Sequence, residues 1–512
     1  MVDDRQFIII PQPPNSAPQP PKGGASECVA TPPLGGLGAE LALPCGSVLV
    51  YEKHLNVCCN EDCTAVLIGD AWQIHPSKDC PENIIKTFNG RTTIEDVYDE
   101  EKTWCGRYVL IVNDWLFLDF CGTLGVFYSA PQPPSPLKGE HTSPLGGWGA
   151  FSSSYRILCE QIGTEVVYPD TLGEGLMNFV PGPLTPSDLV RRLMPSEIIN
   201  LKTGEKRVRP LNPDGIWNAE NSQERINELE KYFTCSLRNM AKHFPDSVFW
   251  LALTGGKDSR TLMALLENSG IDYKAFTCWH ERIAEADLVL PPKLAKAVGK
   301  PYKFIERRED NYSLGRADEY RRHTGGMADD ADKPMYVYGQ YQELDPNHQV
   351  VLLRSAIWPC SCNRLKDKCS RKEILQIEKY FDTTKFFPQA KKHELYCKAL
   401  RSWEDLVNHD AINKGINLWD RLMIEERHGA WLSSIEQGFD LMEGIVSVEC
   451  CNSRCFFSIL TGFSDKDKKR KKHEMKIVKQ ICPTLSKYRY QDNLTLKKRI
   501  KNVLHDLKMR YT

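Results

Sequence analysis

The sequence predicts two structural classes in succession: an α+β N-terminal part, then a C-terminal part built on a parallel, doubly wound α/β sheet. Strand-like runs with short connections dominate residues 1–205. From about residue 216, strands alternate with helix-length amphipathic segments, the connection that parallel strands require. One of those strands leads into a diglycine loop and a helix, which is typical of the ligand-binding edge of such sheets.

Bulk composition indicates a globular protein with more than one core. The chain has 512 residues, of which 41% are hydrophobic and 26% charged, enough for two or three domains. The net charge of −1 provides no global field to attract nucleic acid or a membrane surface, and no apolar run approaches bilayer-spanning length. We therefore expect a cytoplasmic protein with no membrane partner, whose 19 cysteines stay reduced.

The N-terminal part is predicted to combine short strands with two short helices. Predicted strands lie at 47–51, 65–69, 108–112, 115–119, 126–128 and 151–154, and predicted helices at 81–89 and 93–98. Two Pro- and Gly-rich segments, near 11–46 and 129–150, share a repeated hexapeptide at 16–21 and 129–134. Proline lacks a backbone donor, so we expect both segments to be exposed spacers inserted into the domain.

The C-terminal part is predicted to alternate helix and strand. Helices are expected at 224–244, 260–269 and 287–298, the last broken at Pro291 and Pro292. Strands are expected at 248–253, 273–278, 303–306 and 350–353. The stretch 375–507 has mostly helical character. This order favours a parallel sheet whose site lies at the carboxyl ends of its strands.

The loop after the strand 248–253 gives the strongest functional signal. Its backbone N–H groups and the following helix N-terminus are suited to an anion, and its glycines permit close approach. A carboxylate in an anion site indicates that a divalent cation accompanies the anion. The predicted site consists of Thr254, Gly255, Gly256, Asp258 and Ser259, with Asp258 as metal ligand. The alternative is a plain strand-to-helix turn in which Asp258 caps the helix.

This loop resembles the Ser-Gly-Gly-x-Asp-Ser pyrophosphate loop of the PP-loop ATP pyrophosphatases, with Thr254 in place of the first serine. The spacing of a Walker loop is absent. The resemblance implies that ATP and Mg2+ are the cofactors. The next strand, which contains Thr277, is similar to the segment that lines the adenine pocket of those enzymes, so Thr277 is a candidate nucleotide-binding residue.

The N-terminal part resembles a class II glutamine amidotransferase domain at 104–110, 119–122 and 126–128. The resemblance implies an Ntn-type αββα sandwich over residues 1–205. Glutamine hydrolysis there needs an N-terminal cysteine whose amine acts as base. Val2 stands at the second position, and Cys28 is the first cysteine. We therefore expect the domain to serve as a structural partner that does not hydrolyse glutamine.

Together, the two parts resemble the asparagine synthetase superfamily, with 216–512 as the PP-loop synthetase domain. The family has a second, acidic signature after the strand equivalent to 350–353, where this chain has Arg354 and Ser355. We predict that Arg354 replaces the acid and contacts ATP phosphates. Asp329 or Asp330 is the alternative metal candidate, and a degenerate second site is the other alternative.

Further matches are Glu-x-Arg-x-Gly-x-Trp at 425–431 and Asn-x-Arg at 452–454, which resemble a divergent branch of the superfamily. They make Glu425 and Arg427 candidates for a direct substrate role; the alternative is that Glu425 and Trp431 are packing residues. Asp287 is similar to an acid of asparagine synthetases, or else is an exposed helix-start acid. The basic stretch 465–512 has few aromatic residues among its charges, which disfavours RNA binding.

The resemblance implies a ligase that adenylates a carboxylate with ATP, releases pyrophosphate and lets an amine or ammonia attack. Family members without the N-terminal cysteine, such as β-lactam synthetase and lasso-peptide cyclase, use an amine of the substrate itself. We therefore expect a small-molecule or peptide carboxylate as substrate, with a homo-oligomer left open. Two alternatives remain: a catalytically inactive scaffold, favoured by the missing acid, and a PP-loop enzyme that modifies RNA.

Overall fold

The computed structural model describes residues 5–11, 38–43, 45–78, 83–129, 149–168, 179–212, 222–279, 283–306, 314–327, 344–355, 416, 420–421, 423–464, 467 and 471–490. These residues form two antiparallel sheets and one parallel sheet, with helices packed on them.

The two antiparallel sheets have six strands each. The first has the order β10 (Val190–Arg192), β8 (Phe127–Ser129), β9 (Phe151–Ser152), β1 (Phe7–Pro11), β3 (Ser47–Glu52) and β2 (Gly38–Ala42). The second has the order β12 (Lys206–Val208), β11 (Glu197–Asn200), β7 (Trp115–Leu118), β6 (Trp104–Val112), β5 (Ala65–Gln73) and β4 (Val57–Cys59). A 3-10 turn (Ile84–Thr87) and the helices α1 (Ile94–Glu101) and α2 (Tyr155–Gln161) accompany them.

The antiparallel sheets face each other across a common core. Alternate side chains of the first sheet, including Ile9 and Leu49, pack with Ile68 and Val109 of the second. On the outer face of the second sheet, α1 joins a separate core through Val97. On the outer face of the first, α2 packs against β8 and β9. The described layers therefore run α, β, β, α, while the assignment to the Ntn type stays a prediction.

The third sheet is parallel, as predicted. Its order is β15 (Tyr302–Ile305), β14 (Lys274–Cys278), β13 (Val248–Ala252), β16 (Val350–Arg354) and β17 (Ile445–Glu449), with every neighbouring pair parallel. Its first strand, β13, lies between the second and the fourth, so the strand order reverses there. Ligands of doubly wound sheets bind outside the carboxyl ends of the strands at that point. The loop that begins at Thr254 is therefore at the expected position for a ligand site.

The helices of this part are α3 (Ser222–His243), α4 (Asp258–Ser269), α5 (Glu285–Ala297), α6 (Leu314–Thr324), a π-helix (Met423–Leu432), α7 (Ser433–Asp440), α8 (Arg454–Thr461), α9 (Lys472–Ile481) and α10 (Pro483–Ser486). On one face of the parallel sheet, α3 and α4 pack against Leu251 and Leu253. On the other face, α7 packs through Phe439 against a core that contains Trp250 and Leu352. Side-chain alternation along each strand gives the sheet these two buried faces.

Most predicted elements are present, with ends shifted by a few residues. The predicted break in α5 is wrong, because the helix continues through Pro291 and Pro292. Its buried side chains, Pro291, Leu294 and Ala295, hold it against the sheet although two backbone donors are missing. The predicted insert at 11–46 contains β2, which pairs with β3 over its whole length. The prediction that this whole segment is an exposed spacer is therefore wrong, because its Pro- and Gly-rich composition gives no strand pattern at 38–42.

The described part of the chain has two further bulk features. No helix in it is both long and apolar enough to cross a bilayer. Cys59 is disulfide-bonded, against the expectation that all cysteines stay reduced, whereas the other cysteines in the described ranges are free.

Candidate functional site

The predicted phosphate loop connects β13 to α4 at the carboxyl edge of the parallel sheet. Gly255 lies against the first turn of α5, where a Cβ atom at position 255 would come within 2.8 Å of the Ala286 carbonyl oxygen. The Gly255 amide donates to Asp287 Oδ1 at 2.6 Å. Close backbone approach therefore explains this glycine. Asp287 is a loop partner, and the alternative of a simply exposed helix-start acid does not hold.

Two hydroxyl groups link the start of the loop to the start of α4. The Thr254 amide donates to Ser259 Oγ at 3.0 Å, and Thr254 Oγ1 lies 3.0 Å from the same oxygen. The Gly256 amide donates to Thr254 Oγ1 at 3.2 Å. Thr254 is exposed and Ser259 is buried, so the hydroxyl pair lies between the loop surface and the core. These contacts give the loop a fixed shape before any anion binds.

Asp258 begins α4, and its carboxylate is held by a lysine from far along the chain. Lys471 Nζ donates to both Asp258 oxygens, with 2.6 Å to Oδ2. The same ammonium lies 3.7 Å from Glu474 Oε1. Glu474 is fully buried, and burial, together with the negative charge of Asp258, raises the pKa of its carboxyl well above the usual value. Two carboxylates and an ammonium thus form one cluster at the loop.

Asp258 is the first residue of α4 and not its cap, because the cap residue is Lys257 and no side chain caps the helix; the role of Asp258 as a metal ligand stays a prediction. Carboxylate oxygens are the ligands that Mg2+ prefers, and it is bound through one or two carboxylates together with substrate phosphates. Asp258 and Glu474 are two such groups beside one cation, Lys471. The described residues contain no group of three or more His, Cys, Asp or Glu side chains that could hold a metal by themselves. The arrangement therefore fits a metal that arrives with a phosphate ligand.

Arg260, in the first turn of α4, holds the C-terminal segment of the described chain against the loop. Its guanidinium donates to the carbonyl oxygens of Tyr488 and Arg489, each at 2.9 Å, and lies 4.0 Å from the centre of the Tyr490 ring. The side chain is fully buried, and burial lowers its pKa. The same guanidinium donates to the Gly255 carbonyl oxygen at 3.4 Å. Arg260 therefore links the loop to residues 488–490 through direct hydrogen bonds.

Thr277, near the end of β14, lies next to the phosphate loop in the sheet. Its hydroxyl donates to the Leu253 carbonyl oxygen at 2.7 Å, which ties together the ends of β13 and β14. The side chain is buried. The structure brings Thr277 close to the loop, and its contact with adenine stays a prediction.

Arg354 ends β16, directly beside β13, as the sequence predicts. Its guanidinium forms an ion pair with Glu436, approaches Glu449 Oε1 at 3.6 Å and lies 4.6 Å from the centre of the Phe439 ring. Because side chains alternate along a strand, Arg354 shares the face of Leu352, which packs on α7, whereas α4 packs on the opposite face. The predicted contact with ATP phosphates stays a prediction.

Glu425 lies in the π-helix and is fully buried. It accepts hydrogen bonds from Ser196, in the N-terminal layers, and from Arg421 Nε at 3.0 Å. Burial raises the pKa of Glu425 while Arg421 opposes the rise. These contacts are those of a residue that joins two parts of the chain, and a direct substrate role for Glu425 stays a prediction. Arg427 is likewise stacked on Trp431, with its Cζ 3.4 Å from the ring centre.

Several expectations fall outside the described residues: the alternative metal candidates Asp329 and Asp330, the chain start around Val2, most of the two Pro- and Gly-rich segments, and much of the predicted helical stretch 375–507.

Sequence reasoning missed Lys471, Glu474 and Arg260 as parts of the site. Lys471 lies in a basic run, which in a sequence usually indicates a solvent-exposed helix face. Glu474 is an acidic residue in a predicted helical stretch that contains no recognised motif. In the structure Lys471 has φ 54° and ψ 42°, which non-glycine residues rarely adopt, but nothing in the sequence indicates this conformation. Arg260 follows the recognised motif directly, but nothing in the sequence indicates its partners.

The sequence matches no family model and no curated protein. Among solved structures it is similar to a glutamine-dependent NAD+ synthetase from Acinetobacter baumannii, at 11% identity over 46% of this chain and 48% of that chain, with a TM-score of 0.22. The similarity thus spans about half of that synthetase. NMN synthetase from Francisella tularensis has 12% identity over 54% and 99% of the chains, TM-score 0.18. NAD+ synthetase from Burkholderia pseudomallei has 14% identity over 51% and 92%, TM-score 0.18. Likenesses this distant carry no functional weight.

Proposed function

We propose that this chain is an ATP-dependent, amide-forming ligase of the asparagine-synthetase-like type. The observation that carries the proposal is the cluster of Thr254, Ser259 and Asp258 around the N-terminus of α4, at the point where the order of the parallel strands reverses. Hydroxyl donors, a helix N-terminus and a carboxylate in one loop suit a polyphosphate that is bound together with Mg2+.

In the proposed reaction, a carboxylate oxygen of the substrate attacks the α-phosphorus of ATP, and the bond to the β-phosphate oxygen breaks. Pyrophosphate would leave, held by the N-terminal amides of α4, Ser259 and the ammonium of Lys471. An amine or ammonia then attacks the acyl carbon, AMP departs with the bonding electrons, and the proton that the nitrogen loses goes to solvent. Asp258 would hold Mg2+, which neutralises phosphate charge when bound. The protein contributes positioning and electrostatic stabilisation, which dominate such transfers.

We propose further that the N-terminal layers keep an amidotransferase-like fold as a structural partner and do not hydrolyse glutamine. The contacts of Arg107 support a structural role, since its guanidinium binds both carboxylate oxygens of Asp440 on α7, at 2.6 and 2.8 Å. Ser196 similarly donates to Glu425 in the π-helix. Both contacts join the antiparallel layers to elements that flank the parallel sheet.

The proposal is tested by measuring pyrophosphate release from ATP and Mg2+ across a panel of carboxylates and amines. Asp258→Asn should abolish magnesium-dependent release and greatly weaken ATP–magnesium binding in calorimetry. Asp272→Asn is the matched control, because the Asp272 side chain is 97% exposed. Unchanged ATP affinity in Asp258→Asn would refute the site. Tight ATP binding without turnover on any substrate would instead indicate an inactive scaffold.

A further inference from the structure

Glu474 has an environment that its packing does not explain. Its side chain, on α9, is 0% exposed. Neither carboxylate oxygen accepts a hydrogen bond from the described residues. Burial of a carboxylate without hydrogen bonds is strongly unfavourable unless a positive charge compensates it. A purely structural position would be better served by glutamine or leucine.

The charged groups around Glu474 lie at the predicted phosphate loop, between the start of α4 and the start of α9. Lys471 Nζ lies 3.7 Å from Glu474 Oε1 and 2.6 Å from Asp258 Oδ2, so one ammonium serves two carboxylates. Lys257, a buried loop residue, adds a second positive charge that acts on Glu474. His473 Nε2 lies 4.0 Å from Glu474 Oε1. The buried carboxylate therefore faces the start of α4.

Lys471 adopts the left-handed backbone conformation, with φ 54°, immediately before α9 begins. This residue places its ammonium between the carboxylates of Asp258 and Glu474. The observation that points to a ligand is the fully buried Glu474 carboxyl, whose oxygens accept no hydrogen bond from the described residues.

We propose that Glu474 is the second carboxylate ligand of the magnesium site, in place of the acidic signature that is missing after β16. The inference rests on the proposed function, because the metal is the one that accompanies ATP at Asp258. Without the metal, the Lys471 ammonium holds the position between Asp258 and Glu474. With metal and nucleotide bound, Asp258 and Glu474 would hold the divalent ion, and the Lys471 ammonium would be free to contact phosphate oxygens.

The test uses Mn2+ as a spectroscopic probe of the full-length protein. Mn2+ is titrated in the presence of α,β-methylene ATP, and free Mn2+ is followed by electron paramagnetic resonance. Glu474→Gln should weaken Mn2+ binding at least about tenfold, as loss of a group that tunes a metal site does. Its thermal unfolding midpoint should equal or exceed that of the wild type, because glutamine is a neutral side chain of the same size at this buried position. Glu443→Gln, at an exposed position before β17, is the control with the same charge change.

The outcomes separate this inference from the proposed function. If the wild type binds no Mn2+ with the nucleotide, the proposed function fails. If Asp258→Asn loses Mn2+ but Glu474→Gln retains wild-type affinity, the site stands and the role of Glu474 is overturned. Should Glu474→Gln not fold, Glu474→Asp decides: weakened Mn2+ binding supports the inference, and unchanged binding refutes it.

Discussion

The side-chain amide of Asn452 donates a hydrogen bond to Asp119 Oδ1 at 2.8 Å, and both residues are buried. The same amide nitrogen donates to the Gly106 carbonyl oxygen at 2.6 Å and to Thr123 Oγ1 at 3.0 Å. Asn452 Oδ1 accepts from the Cys121 amide at 3.1 Å. Two segments that the sequence relates to different domains, 119–122 and 452–454, therefore form one polar contact between the antiparallel layers and the C-terminal part.

Asn452→Ala should destabilise the whole protein. The substitution removes four hydrogen bonds to buried groups of 106–123, which costs about 2–4 kcal/mol in the free energy of unfolding. Urea denaturation followed by tryptophan fluorescence measures the change. Asn227→Ala is the control, because Asn227 is exposed and bonds only to surface residues such as Gln223. Equal stability of the two variants would show that the contact is not a stabilising one.

Gly255→Ala should disturb the phosphate loop more than the fold. The new methyl group would meet backbone atoms of Ala286, at 2.8 and 3.1 Å, which cannot rotate away. The loop must move from α5, and we expect ATP affinity to fall at least about tenfold while stability falls by about 1–3 kcal/mol. Calorimetric titration with ATP and Mg2+ measures the first effect. Gly90→Ala, where the nearest atom is 3.7 Å away, should change neither quantity.

Arg354→Ala tests a predicted role in ATP binding against an observed structural one. The substitution removes the partner of Glu436, whose side chain is 1% exposed, and breaking such a pair costs about 3–5 kcal/mol. Pyrophosphate release should also fall at least about tenfold if the guanidinium grips phosphate oxygens.

The double variant Arg354→Ala/Glu436→Gln separates these effects. It removes the buried charge of Glu436 but not that of Glu449, so we expect part of the lost stability to return. If pyrophosphate release returns with it, Arg354 acts through the fold alone. Release that stays low in the stable double variant would support contact with ATP.

Glu426 should make stability fall as pH rises. Burial, and then the charge of Glu425, raise the pKa of Glu426 from 4.5 to about 8. Between those two values the folded state keeps a proton that the unfolded state releases, so the free energy of unfolding decreases with pH and levels off above the folded pKa. Glu426→Gln keeps an acceptor for the Gly182 amide but cannot ionise.

Urea unfolding at about pH 5 and about pH 8.5 measures this effect, and we expect Glu426→Gln to exceed the wild type by roughly 1–3 kcal/mol only at the higher pH. An identical pH dependence in both proteins would mean that Glu426 titrates near its ordinary value.

The sequence alone was sufficient for the loop and for four of the five strands of the parallel sheet. The fifth strand, β17, lies within 375–507, a stretch that the sequence predicts to be mostly helical, so that part of the prediction is wrong. Runs such as 248–252 are continuously apolar, which is typical of strands buried on both faces. The glycines and hydroxyl residues that follow this run predict a tight loop from their own conformational preferences. The short or edge strands β2, β4 and β12 were missed, because their pairing depends on distant partners and not on their own pattern.

The composition of the site was decided by the tertiary structure. Lys471 meets Asp258 across 213 residues of chain, and Arg354 meets Glu436 across 82. The repeat of apolar residues along a helix or strand predicts which of its faces is buried. It does not predict which charged side chain of another helix or strand will contact that face. The sequence determined that a diglycine loop with hydroxyl groups and an acid connects β13 to α4. Only the packing of α9 against α4, and of α7 against the parallel sheet, decided which charged groups lie beside Asp258 and Arg354. Ion pairs form between the charged groups that such packing brings together.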